Sequence, residues 1–161
     1  MSATPFTIER SIAISQPAAR IFPYLNDFRR WQDWSPWEGL DPKMERSYSG
    51  PEAGVGSGYH WSGNRKAGEG TMTITSADRP DRLALDLNFA RPWKAQNTVI
   101  FVLTESPDAS STVVDWRMSG TNSGINKIFS KLFNLDKLVG KDFEKGLRQL
   151  KTLAESGEVE P

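Results

Sequence analysis

Between Ser57 and Ser119 apolar residues recur at every second position in a series of short segments, and the gaps between segments are too short to hold helices. Tyr59 and Trp61, Met72 and Ile74, Leu85, Leu87 and Phe89, Val99, Phe101 and Leu103, and Val114, Trp116 and Met118 each share a parity within their segment. A period of two puts such a set on one face of a strand. The spacing predicts strands over Ser57–Ser62, Glu69–Ser76, Arg82–Phe89, Ala95–Thr104 and Ser111–Ser119, separated by the turn signals GNRKAGEG, ADRPD and ESPDASS. Strands this close in sequence form an antiparallel meander.

The period then changes. From Ile125 onward the apolar positions Ile125, Ile128, Phe129, Leu132, Leu135, Val139, Phe143, Leu147, Leu150 and Ala154 step by three and four, which is a long amphipathic helix. Asn134 and Gly140 weaken it locally. Upstream, Phe6, Ile8, Ile12 and Ile14 share one parity, interrupted by Arg10, and read as a first strand. Pro17 is expected in the first turn of a helix capped by Ser15 or Gln16, with Ala18, Ile21, Phe22 and Leu25 as its apolar stripe. Pro23 falls inside that stripe, so a kink or break is expected, followed by a second short helix over Asp27–Trp34. A weak strand is expected near Lys43–Ser49. No internal repeat is seen, and residues 5–156 read as one folded unit.

At 161 residues the chain is long enough to bury a real core. It contains no cysteine, which excludes disulfides, thiolate metal sites and a cysteine nucleophile, and one histidine, which excludes histidine clusters. No metal and no cofactor is expected. Twenty basic residues balance twenty acidic ones and no segment gathers a basic face, so nucleic acid is not an expected partner. The N-terminus carries no signal-peptide pattern, and the apolar run Val99–Leu103 is too short to cross a bilayer, so stable membrane insertion is not expected and a cytoplasmic location is. The sequence leaves the oligomeric state open.

A strand (PFTIERSIAI), a proline-led helix (SQPAARIFPYLND) and a W-x-x-W-x-P exit at Trp31, Trp34 and Pro36 form the opening of the chain. The segment GVGSGYHWSGNRKAGEGTMTI adds a glycine-rich turn, a tryptophan strand and a GEG return, and GKDFEKGLRQLKTLAE closes the chain. In that order, over about Phe6 to Glu155, these resemble the START-like SRPBCC superfamily, in particular its polyketide cyclase/dehydrase-like group. The resemblance implies an α+β helix-grip fold: a curved antiparallel sheet of about seven strands wrapped around the long C-terminal helix, with two short helices after the first strand. It also implies an apolar cavity between sheet and helix for a small hydrophobic molecule such as a lipid or polyketide.

Tyr59, Trp61, Met72, Ile74, Leu85, Leu87, Phe89, Phe101 and Trp116 from the sheet, with Phe129, Leu132, Val139 and Phe143 from the helix, are the expected ligand-binding residues. The alternative is that the same side chains fill the interior and leave no cavity. Trp31, Trp34 and Trp37 are expected as a structural plug where the short helices meet the sheet edge, or else as a frame around a cavity mouth. His60 has the parity opposite to Trp61, which points it away from the cavity. Gly54, Gly56 and Gly58 form a G-x-G-x-G, but a strand follows where a dinucleotide loop requires a helix, so a turn is expected. The loop Gly50–Gly58 is expected to border the cavity entrance together with the helix around residues 126–140.

No catalytic residue is assigned. Carriage of a hydrophobic ligand is the leading reading. A cyclase, aromatase or dehydrase using the same cavity, helped by Tyr59, His60 or a buried carboxylate, is the alternative, and a partner-binding regulatory module is the third.

Overall fold

The computed structural model describes residues 5–37, 40–65, 67–91, 94–121 and 132–156. Strict alternation yields β1 (Pro5–Ile14), β2 (Glu45–Ser49), β3 (Gly58–Ser62), β4 (Glu69–Asp78), β5 (Arg82–Arg91), β6 (Ala95–Glu105) and β7 (Thr112–Thr121). They pair antiparallel throughout, in the order β1-β7-β6-β5-β4-β3-β2. Each meander strand lies beside the next in sequence, and β1 closes the far edge against β7. Register shifts between Glu69 and Gly70 and between Ile74 and Ser76 mark two irregular points of β4.

Two helical segments separate β1 from β2, as expected: α1 (Ala18–Asn26) and a 3-10 helix (Phe28–Asp33). Two local expectations are corrected. The N-cap of α1 is Pro17 itself, whose ring has no acceptor to offer as a side-chain cap, and the Ser15 N–H donates to a Glu155 carboxylate oxygen at 2.6 Å. The α-helix also runs through Pro23 to Asn26 without a break. Ala19, whose carbonyl Pro23 leaves without an intrahelical donor, is exposed to water, and Ile21, Phe22 and Leu25 are fully buried against the sheet side. Tertiary burial therefore outweighs the local defect.

The long C-terminal helix, α2, is described from Leu132 to Glu155. Phe143, Leu147, Leu150 and Ala154 recur at intervals of three and four and are all buried, as the period requires. The helix passes Arg10 at Gly140 and ends beside Ser15, so it lies along β1, and Lys151 donates to the Ala13 carbonyl at 3.1 Å. Residues Ile125 to Phe129, expected to begin it, lie outside the described residues.

Candidate functional site

Register sorts the inner face of the sheet into rows that run across the strands. Leu83, Phe101, Trp116 and Arg10 are neighbours in one row, and Ile74, Leu85, Val99, Met118 and Ile8 in the next. Beyond these come Tyr59, Met72, Leu87, Asn97, Gly120 and Phe6, and then Trp61, Gly70 and Phe89. The expected ligand-binding positions are thus distributed from one end of the sheet to the other.

The first rows are filled. Trp116 stacks on Phe143 of α2 with ring centroids 4.0 Å apart and planes at 4°. Trp31 and Trp34 pack edge-on against both Phe101 and Trp116. The W-x-x-W spacing explains this arrangement: a 3-10 helix repeats every three residues, so both indoles leave on one side, 4.7 Å apart. Their N–H groups donate to Leu25 and Tyr24 carbonyls, both at 2.9 Å, which anchors the pair to α1. The tryptophans therefore plug the sheet at β6 and β7, the strands inside the β1 edge. Trp37 joins them edge-on to Trp116 and Phe143 and donates to Asp142 at 3.1 Å. Gly146 lets α2 approach this cluster, since a Cβ there would meet Pro36 and the Trp116 ring.

The last rows differ. Tyr59 and Trp61 retain 9% exposure, Leu87 8% and Met72 7%, and Phe89 is half-buried, against 0% for Phe101 and Leu85 and 1% for Trp116 and Phe143, while Met118 in the second row matches Met72 at 7%. Here rings line up across β2, β3 and β5, and Phe28 of the 3-10 helix reaches Tyr59 at 6.0 Å. Tyr48 lies 5.3 Å from Tyr59, Tyr59 is stacked 6.0 Å from Trp61, and Phe89 meets Trp61 edge-on at 5.7 Å. Gly70 makes room for the Trp61 ring, whose N–H donates to the Ala67 carbonyl at 2.8 Å. Val139 is half-buried against the core. Leu132 lies in α2 with its side chain outside the described residues, as is all of Phe129.

Three residues of this region escaped sequence reading. Tyr48 sits in β2, which is too short to show its period. Asn97 has the parity of Val99 and Phe101, so alternation alone places it on the inner face, where it is buried. Arg10 likewise faces inward, where it donates to Glu144 of α2 at 2.9 Å and its guanidinium lies against Gly140. The glycine expected to weaken α2 is the one that lets this side chain pass.

His60 faces the outer side, as its parity indicates, and shares a hydrogen bond of 2.8 Å with Glu69. That bond, followed by one from Arg91, holds the Glu69 carboxyl below its ordinary value of 4.5. In the glycine-rich loop, Gly50, Gly54 and Gly56 adopt φ of 72°, 86° and 95°, which only glycine takes without strain. The loop is pinned by bonds from Gly54 to the Asn26 carbonyl and from Gly56 to the Ile74 carbonyl, at 3.2 and 2.9 Å. These bonds tie it to α1 and β4, and residues 126–131 of the helix segment expected beside it lie outside the described residues. Among the described residues no cluster of three or more potential metal ligands occurs, and no helix is long and apolar enough to cross a membrane.

The family model described as Polyketide cyclase / dehydrase and lipid transport matches residues 5–155. Among curated proteins there is no sequence match. Among solved structures, the chain is similar to protein CV1439 from Chromobacterium violaceum, with a TM-score of 0.65 and 14% identity over 92% of this chain and 96% of that one. Protein MLL2253 from Mesorhizobium loti has a TM-score of 0.65 and 16% identity over 96% of this chain and 100% of its own. Norcoclaurine synthase from Thalictrum flavum, in complex with dopamine and hydroxybenzaldehyde, has a TM-score of 0.69 and 10% identity over 99% and 91%. Identities this low establish the fold alone, and it is the helix-grip fold.

Proposed function

This chain belongs to the Polyketide cyclase / dehydrase and lipid transport family, and from that premise we propose that it binds a small hydrophobic ligand, aromatic in character, against Tyr59, Trp61, Met72, Leu87 and Phe89. The observation that carries the reading is the gradient along the inner face. Rings are locked together where α2 and the Trp31–Trp34 pair cover the sheet; toward β3 the described cover includes Phe28 of the 3-10 helix, 6.0 Å from Tyr59, and Tyr59, Trp61, Leu87 and Met72 keep 7–9% exposure. Aromatic faces with water access gain by covering apolar area and by ring contact. The complex of norcoclaurine synthase with dopamine and hydroxybenzaldehyde supports small aromatic molecules as occupants of this fold.

Binding is favoured over turnover. Among the described residues, the carboxyls with displaced pKa are Glu69 and Asp115 on strands, Asp108 in a turn and Glu155 at the end of α2, none of them in the ring-lined rows. His60 is engaged on the outer face. A partner module would need an exposed apolar patch. The exposed large apolar residues described are Val55 and Val113, which sit on different elements.

The test is an NMR titration of the indole N–H resonances with 2-acetylnaphthalene. The Trp61 resonance should shift with saturation while those of Trp34 and Trp116 stay fixed. Movement of Trp34 and Trp116 with Trp61 unchanged would place the ligand elsewhere.

A further inference from the structure

We infer that Asn97 is the polar anchor of this ligand site, and that the ligand is an aromatic or polycyclic molecule carrying a ketone or hydroxyl oxygen. The inference rests on the reading above and adds the chemistry of one atom. In its row, Asn97 lies between Leu87 and Gly120, with Met72 and Phe6 beyond them, so an amide stands in an otherwise apolar line. It is 7% exposed, a depth at which an amide normally has its hydrogen bonds made. Its side chain makes one long bond, from Nδ2 to the Leu87 carbonyl at 3.4 Å.

Gly120 is the second observation. A Cβ at that position would collide with Asn97 Oδ1, so β7 is kept bare where the amide lies across it. The amide thus has donor and acceptor capacity to spare beside Leu87 and Met72, which face the proposed aromatic body. A ketone would accept from Nδ2. A hydroxyl would donate to Oδ1. A hydrocarbon of the same shape would leave the amide with nothing in return, and it is this asymmetry that discriminates between ligands.

The experiment compares 2-acetylnaphthalene with 2-ethylnaphthalene on the wild type, on Asn97→Leu and on Gly120→Ala, with Kd read from the Trp61 indole resonance. Asn97→Leu should weaken the ketone about fivefold, the worth of one hydrogen bond, and leave the hydrocarbon unchanged or tighter. Gly120→Ala keeps the amide but displaces it, and should reduce the ketone selectively as well, which covers the case in which Asn97→Leu does not fold. If both ligands bind and the variants change them equally, or not at all, Asn97 is not the anchor. If neither ligand binds the wild type, the ring-lined site itself is wrong and the anchor falls with it.

Discussion

The row of Phe101 and Trp116 and the row of Tyr59 and Leu87 belong to one sheet, follow one alternation and carry equally large side chains, yet one is sealed and the other keeps residual exposure. The difference lies above the sheet. Phe143 stacks on Trp116 and the Trp31–Trp34 pair presses on Phe101, whereas Trp61 and Phe89 pair along the sheet itself and Tyr59 adds one ring from above, Phe28 of the 3-10 helix at 6.0 Å. A side chain pointing inward becomes core only if another element brings atoms down onto it.

The contrast is most exposed to failure at the tryptophans. Trp116→Ala should cost about 4 kcal/mol, the transfer term plus a cavity that stacked neighbours cannot fill. Trp61→Ala should cost about 2 kcal/mol, nearer to the transfer term alone. Urea unfolding of both variants checks this, and equal losses would erase the distinction between the two regions.

The two glycines of α2 sharpen it. Gly146→Ala should destabilise by about 2 kcal/mol despite alanine's better helix propensity, because its Cβ meets Pro36 and the Trp116 ring, which are fixed. At Gly140 the neighbour is the end of a flexible arginine. Gly140→Ala should therefore stay within about 0.5 kcal/mol of wild type, as the propensity gain offsets a weakened Arg10–Glu144 pair. A loss at Gly140 as large as at Gly146 would mean that Arg10 is held as rigidly as the rings.

The smallest effects come from charges outside both regions, and they carry opposite signs. Bonds from Lys151 and from the Ser15 N–H hold Glu155 below its ordinary 4.5, so its contribution is present at neutral pH and lost as pH falls through the lowered value. Burial, and then the neighbouring Glu9, push Asp115 above its ordinary 3.8, so its contribution is present in acid and lost as pH rises through the raised value. Glu155→Gln should lower the Tm by about 1–2 °C at pH 7 and Asp115→Asn should raise it by a similar amount. The Glu155→Gln loss should shrink as pH falls through the lowered value and the Asp115→Asn gain should vanish in acid, and thermal melts across the acid range decide it.

Much of this was legible from the chain. Alternation placed Tyr59, Trp61, Leu87 and Trp116 on the inner face, and the step of three and four in α2 placed Phe143 and Leu147 against it, because each rule concerns geometry within one element. The failures were contacts between elements. Pro23 predicts a kink or a break, and no local rule shows that burial of Phe22 and Leu25 carries α1 on to Asn26. The bonds that tie the loop Gly50–Gly58 to Asn26 and Ile74 join segments far apart in the chain, and no local period announces them. Asn97 has inward parity, but a tracing of apolar periodicity carries no signal for a polar residue on the inner face.

The sequence by itself determined the strand faces, the helical stripe and the meander order, since periods of 2 and 3.6 and short gaps are local properties that few topologies satisfy. Only the tertiary structure decided which inward residues meet a partner. That depends on where the 3-10 helix sets Trp31 and Trp34, on the approach that Gly146 allows to α2, and on the space that Gly70 and Gly120 leave for Trp61 and Asn97. These are distances between segments far apart in the chain, and no local period encodes them.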